Sequence, residues 1–150
     1  ATTEEAADGG AAASGKESLS REEAWSLLDR ILRTMQFLIN EGANVNHEAR
    51  TGDTALLRAC AAGAYPVVEL LLKNGAEAAH RNAGGVTPLV RAIGYGATDV
   101  VALLLQRGVD PTQRTRRGVT PLLLAAQRGY RTIADLLLSF PSTRRIVDYE

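Results

Sequence analysis

This chain is short of the residues with which proteins do chemistry. Its 150 residues include one cysteine, one methionine, one tryptophan and two histidines. The lone Cys60 excludes an internal disulfide and leaves no cysteine cluster for a metal; it fits a reducing compartment without requiring one. Aromatic residues make up only 5% of the chain, so any core must be aliphatic. No apolar run approaches the ~18–20 residues of a membrane-spanning helix. No glycine is followed by the Lys-Ser or Lys-Thr that a phosphate-binding loop needs. Net charge is zero, which argues against a whole-molecule field that would recruit nucleic acid or membrane. What remains is an ordinary globular composition, 45% hydrophobic and 23% charged.

What the chain does have is a clock. Gly118-Val119-Thr120-Pro121-Leu122 is preceded 33 residues upstream by Gly85-Val86-Thr87-Pro88-Leu89, and again by Gly52-Asp53-Thr54-Ala55-Leu56. Each pentamer reads as the end of a turn and the start of a helix. Glycine permits the positive φ of a tight turn, threonine caps with its hydroxyl, and proline has its φ already set and no N–H to lose. A glycine in mid-unit (Gly63, Gly96, Gly129) then closes a first short helix. A second helix follows with a triple leucine: Leu70–Leu72, Leu103–Leu105, Leu136–Leu138. Ala59, Ala92 and Ala125 recur at the same spacing, small enough for neighbouring first helices to approach closely. Upstream, Ser20 and Glu23 form a capping box. It opens a helix carrying Trp25, Leu28, Ile31, Leu32, Met35, Leu38 and Ile39 at helical spacing and stopping at Gly42. Arg21 and Arg30 occupy the positions of the capping threonine and mid-unit glycine in this first unit. A divergent, polar-faced N-terminal cap with a longer or poorly broken helix pair is therefore expected.

A 33-residue period with a Thr-Pro-Leu start resembles the ankyrin repeat, as does the turn Gly42-Ala43-Asn44-Val45-Asn46. The resemblance covers about residues 21–140. It implies an all-α ankyrin-repeat solenoid of stacked helix-turn-helix units with projecting hairpins, units at about 19–49, 50–82, 83–115 and 116–140, and tails at 1–18 and 141–150. It further implies a protein-binding module without catalytic activity, cofactor, metal or small-molecule substrate. Leu57, Val90 and Leu123 replace the family's histidine after Thr-Pro-Leu, so dry packing is expected there. His47 and His80 read as hairpin surface residues, a poor metal site without further ligands. Cys60, among alanines and with no histidine placed to activate it, reads as a buried small hydrophobe.

Specificity is expected on the surface formed by hairpin tips and first helices, which in this family is concave. Residues 81–145 carry ten arginines against three acids (net +7). Repeat mapping selects Arg58, Arg81, Arg91, Tyr95, Arg114, Arg116, Arg117 and Arg128 as candidate partner-binding residues. Arginine and tyrosine are enriched at interface hot spots, and arginine forks suit carboxylates. Scattered arginines can also form a solvated face; three on one hairpin, Arg114, Arg116 and Arg117, point to contact. The expected partner is a protein with an acidic segment. Nucleic-acid phosphate is a weaker alternative, because only one aromatic interleaves the patch.

The other alternative is an accessory subunit in a large assembly, organellar complexes included. Phe140-Pro141 stands where a glycine should follow the last helix, and the last face lacks the polar cover that a terminal repeat requires. Phe140 is therefore a further candidate contact, with Ile146–Tyr149, a partner, or more repeats as its cover. Ala1 in place of methionine fits a cut or processed chain, a removed transit peptide being one source. Residues 1–18, low in apolar content, are expected to form no structure alone. Glu4, Glu5 and Asp8 in that tail could instead lie in the arginine groove as a pseudo-ligand.

Overall fold

The computed structural model describes residues 18–141. The expectations for the acidic tail and for Ile146–Tyr149 fall outside the described residues. Among those described, seven helices and no strand are found: α1 (Arg21–Asn40), α2 (Ala55–Ala62), α3 (Tyr65–Lys73), α4 (Pro88–Gly94), α5 (Thr98–Gln106), α6 (Pro121–Arg128) and α7 (Arg131–Leu138). The chain divides into two compact units, one ending at Met35 and the other beginning at Gln36.

Helix α1 opens on the capping box read from sequence. Ser20 N donates to Glu23 Oε2 at 2.9 Å and Glu23 N donates to Ser20 Oγ at 3.2 Å. The helix then runs unbroken for 20 residues, with an Asp29–Arg33 ion pair at 2.9 Å along its side. Arg30, standing where the later units have glycine, supplies no break. One expectation fails. The face is not polar: Trp25, Leu27, Ile31, Phe37 and Leu38 are exposed, and no residue of α1 is fully buried.

From Gln36 onward the architecture is a stack of helix pairs. Helices α2 and α3, α4 and α5, and α6 and α7 pack within layers. Between layers α2 meets α4 and α4 meets α6, while α3 meets α5 and α5 meets α7. Thr54, Thr87 and Thr120 cap the first helices, their hydroxyls accepting from Leu57 N, Val90 N and Leu123 N at 3.2–3.4 Å. Ala59, Ala92 and Ala125 are buried between first helices, and Leu71, Leu104 and Leu137 fill the second-helix layer. Helices of seven to nine residues are too short to persist alone in water; this packing holds them.

The turns before each first helix repeat one another in detail. Ala49 N donates to Asp53 O, Asn82 N to Val86 O and Thr115 N to Val119 O, at 2.9–3.1 Å. Adjacent turns are also tied to each other. Ala83 N donates to Thr51 O at 3.1 Å, and His80 Nε2 lies 2.8 Å from Gly52 O, which accepts from it. With its side chain 12% exposed, His80 is an interlayer strut and not the surface residue expected from sequence; His47 is exposed.

Close approach between turns requires glycine where two layers meet. Gly85 has φ +73°, and a Cβ there would lie 2.9 Å from Arg116 N. Gly118, its counterpart in the last layer, has φ +78° and nothing within 4 Å of the same position. The last layer therefore presents a mating face that is uncovered by any described residue. Leu57 and Val90 are buried, whereas Leu123, at the same repeat position, is 45% exposed. Alanine at either glycine incurs the positive-φ cost, of order 1–2 kcal/mol, but only at Gly85 does it also collide with a neighbour. Urea denaturation should show Gly118→Ala losing about 1 kcal/mol and Gly85→Ala about 2–4 kcal/mol. Equal losses would mean that the turn-to-turn contact is not tight.

Candidate functional site

The nine candidate contacts fall into two groups and two outliers. The first group sits on the turns. Arg81 Nη2 donates to Arg114 O. A Cβ on Gly85 would lie 2.9 Å from Arg116 Cγ and 3.2 Å from Arg81 Nη2. The Arg81 guanidinium and the Arg116 stem thus converge on one glycine, bringing successive turns together. Arg81, Arg114, Arg116 and Arg117 are all exposed, and no carboxylate among the described residues lies within ion-pair distance of them.

The second group lines a cleft of about 440 Å³ between the first helices of the last two layers. Arg91, Gly94 and Tyr95 come from α4 and the residue that caps it; Leu124 and Arg128 come from α6; Val86 comes from the turn before α4. Val90, buried at 6%, closes the inner wall. Tyr95 is 64% exposed on the rim, and Arg128 is exposed beside it. Arg58 is exposed on α2 and lines neither group, and Phe140 is half-buried after α7, also apart from both.

Arg91 differs from the other arginines. Its Nη2 donates to Asp53 Oδ1 at 3.1 Å across two layers, with the side chains 24% and 16% exposed. The same carboxylate oxygen accepts from Asn82 Nδ2 at 2.8 Å. Asn82 in turn holds the next turn, its Oδ1 accepting from Gly84 N and Val86 N at 3.0 and 2.9 Å. Arg91 Nε is buried without an acceptor. Arg91 therefore serves first as an interlayer tie, and the charge it brings to the cleft is already balanced by Asp53. Sequence reading missed this pairing across 38 residues. The available signal was Asp53 itself, a carboxylate at the repeat position where later copies have Val86 and Val119.

Nearby, Cys60 is completely buried. Burial pushes its thiol up to about 12, against a smaller downward pull from the Arg91 charge. The thiol stays protonated at physiological pH and is no nucleophile. Among the described residues no cluster of His, Cys, Asp and Glu could hold a metal, and no helix is long and apolar enough to cross a membrane.

The profile of the family described as Ankyrin repeats (3 copies) matches residues 29–115 and 78–146. The chain belongs to the ankyrin-repeat family. Helix pairs stacked at one spacing, turns bonded to turns and the threonine-capped first helices agree with that membership. Ankyrin repeats are in general protein–protein interaction modules, and the family is typically non-enzymatic. A search of curated proteins finds no match.

The Asp53 tie is open to measurement in this ankyrin stack. Asp53→Ala leaves the half-buried Arg91 guanidinium and the Asn82 amide without their acceptor. A loss of about 2 kcal/mol in urea denaturation is expected. A double-mutant cycle with Arg91→Leu should recover at least about 1 kcal/mol of coupling; an additive cycle would mean that the pair contributes nothing.

Proposed function

We propose that this ankyrin-repeat chain binds an acidic segment of a partner protein along the turns and first helices of its last two layers. The observation that supports this reading is the convergence of the Arg81 guanidinium and the Arg116 stem on Gly85, with the Arg114 carbonyl accepting from Arg81, Arg117 next in sequence, and no carboxylate to neutralise these exposed arginines among the described residues. Like charges gathered on an exposed surface repel one another and are relieved by an anionic ligand. Such patches steer encounter and select among partners. Arg128 extends the same field to the rim of the cleft that Tyr95 also lines.

Replacement of Arg114, Arg116 and Arg117 by glutamate tests the proposal in a pull-down from native extract at physiological salt. The expected result is loss of the captured partner, at least about 100-fold in affinity once that partner is purified. An unchanged set of partners overturns the reading. A captured nucleic acid in place of a protein, with affinity falling steeply as salt rises, would move the function to phosphate binding.

A second reading is favoured by the face of the last layer, which no described residue covers. A Cβ added at Gly118 or Gly129 would have nothing within 4 Å, whereas at Gly85 and Gly96, the preceding positions, it would meet Arg116 and Tyr130. On this reading the chain is a small accessory subunit of a larger assembly, docked through that end with Phe140 and Leu123 in contact. Gel filtration of native extract separates the two. A free adaptor elutes at the size of its single chain, and an assembly subunit elutes with its complex.

A further inference from the structure

The cleft between α4 and α6 is apolar inside and basic outside, and the two parts ask for different things from a ligand. Its inner wall is Val86, Val90 and Leu124, and the one arginine there, Arg91, already holds Asp53. A second carboxylate placed at that depth would give up its hydration and meet no unpaired charge. At the rim the situation reverses. Tyr95 offers a ring that is 64% exposed, and Arg128 offers a guanidinium with no carboxylate partner among the described residues. The volume, about 440 Å³, falls within the range of ligand pockets and is ample for one large side chain.

We infer that the cleft is an anchor pocket that takes one large aliphatic or aromatic side chain of the bound acidic segment, seated between Tyr95 and Leu124, while a carboxylate close to it in sequence pairs with Arg128. This rests on the acidic-segment reading above and narrows it. The partner motif is an apolar residue embedded among acids, not a plain acidic run. The turn arginines attract the segment, and the cleft fixes its register. Leu124 is what makes the pocket apolar on this side. It stands where the earlier units have Arg58 and Arg91, and an arginine there would have filled the wall with charge.

Fluorescence anisotropy with the full chain tests this, using two labelled peptides of alternating glutamate and glycine that differ in one central residue, leucine or alanine. The leucine peptide is expected to bind about tenfold more tightly, the return from burying part of one leucine side chain. Tyr95→Ala and Leu124→Ala should each bring the two peptides to within about twofold of one another. Arg128→Glu should weaken both. Tyr95 is largely exposed, so its variant folds whether or not Leu124→Ala does. Equal binding of the two peptides, with both still lost on reversing Arg114, Arg116 and Arg117, overturns the anchor and leaves the groove reading standing. A leucine preference that survives Tyr95→Ala also overturns it. No binding of either peptide overturns both.

Discussion

A pair of helices seven to nine residues long cannot bury its own apolar surface, so each layer of this stack depends on the face its neighbour offers. Everything else follows from meeting that condition at a fixed spacing. Alanines between first helices set the approach distance, leucines between second helices fill the remaining space, and glycines let turns touch at backbone distance. The dependence is local, because a layer contacts only the layers beside it. Its consequence is visible where a neighbour is missing. Leu57 and Val90 are buried at one repeat position, and Leu123, chemically alike, stands half in solvent because no described residue covers it.

Polar groups supplement this packing at the turns, where apolar contact is thin. Asp53, Asn82 and Arg91 form one connected set that ties two successive layers, and His80 adds a bond to Gly52 O. The set also shapes the charge of the cleft. By taking up Arg91, Asp53 removes a positive charge from the inner wall of the cleft, leaving the net positive charge to Arg128 at the rim and to the turn arginines. The division between an apolar interior and a basic margin thus originates in a stabilising contact.

Much of this was legible in the residues. Capping threonines, Pro88 and Pro121 at helix starts, the glycine positions and the buried alanines all follow from local chemistry repeated on a clock, and local chemistry is what a sequence states directly. Less legible was anything that joins residues of different units. His80 looked like a surface residue because nothing near it in sequence says that Gly52 O is its acceptor. Arg91 looked equivalent to Arg58 because both fall at one repeat position, yet only Arg91 has a carboxylate across the stack. The first unit misled in another way: a long, poorly broken helix was expected and is found past Arg30, but the expected polar face is not, because α1 leaves Trp25 and Ile31 exposed.

The sequence by itself determined the repeat, the helix boundaries within each unit from Gly52 onward, the aliphatic character of the core and the excess of arginine in the second half. These depend on contacts a few residues apart, or on composition. Only the tertiary structure decided which arginines have no carboxylate partner among the described residues, which one is tied to a carboxylate 38 residues away, and that Val86, Val90, Leu124, Tyr95 and Arg128 share one cleft. The physical reason is that charge pairing and cavity shape depend on distances through space between layers. A one-dimensional pattern fixes which positions are equivalent, but not what each of them meets.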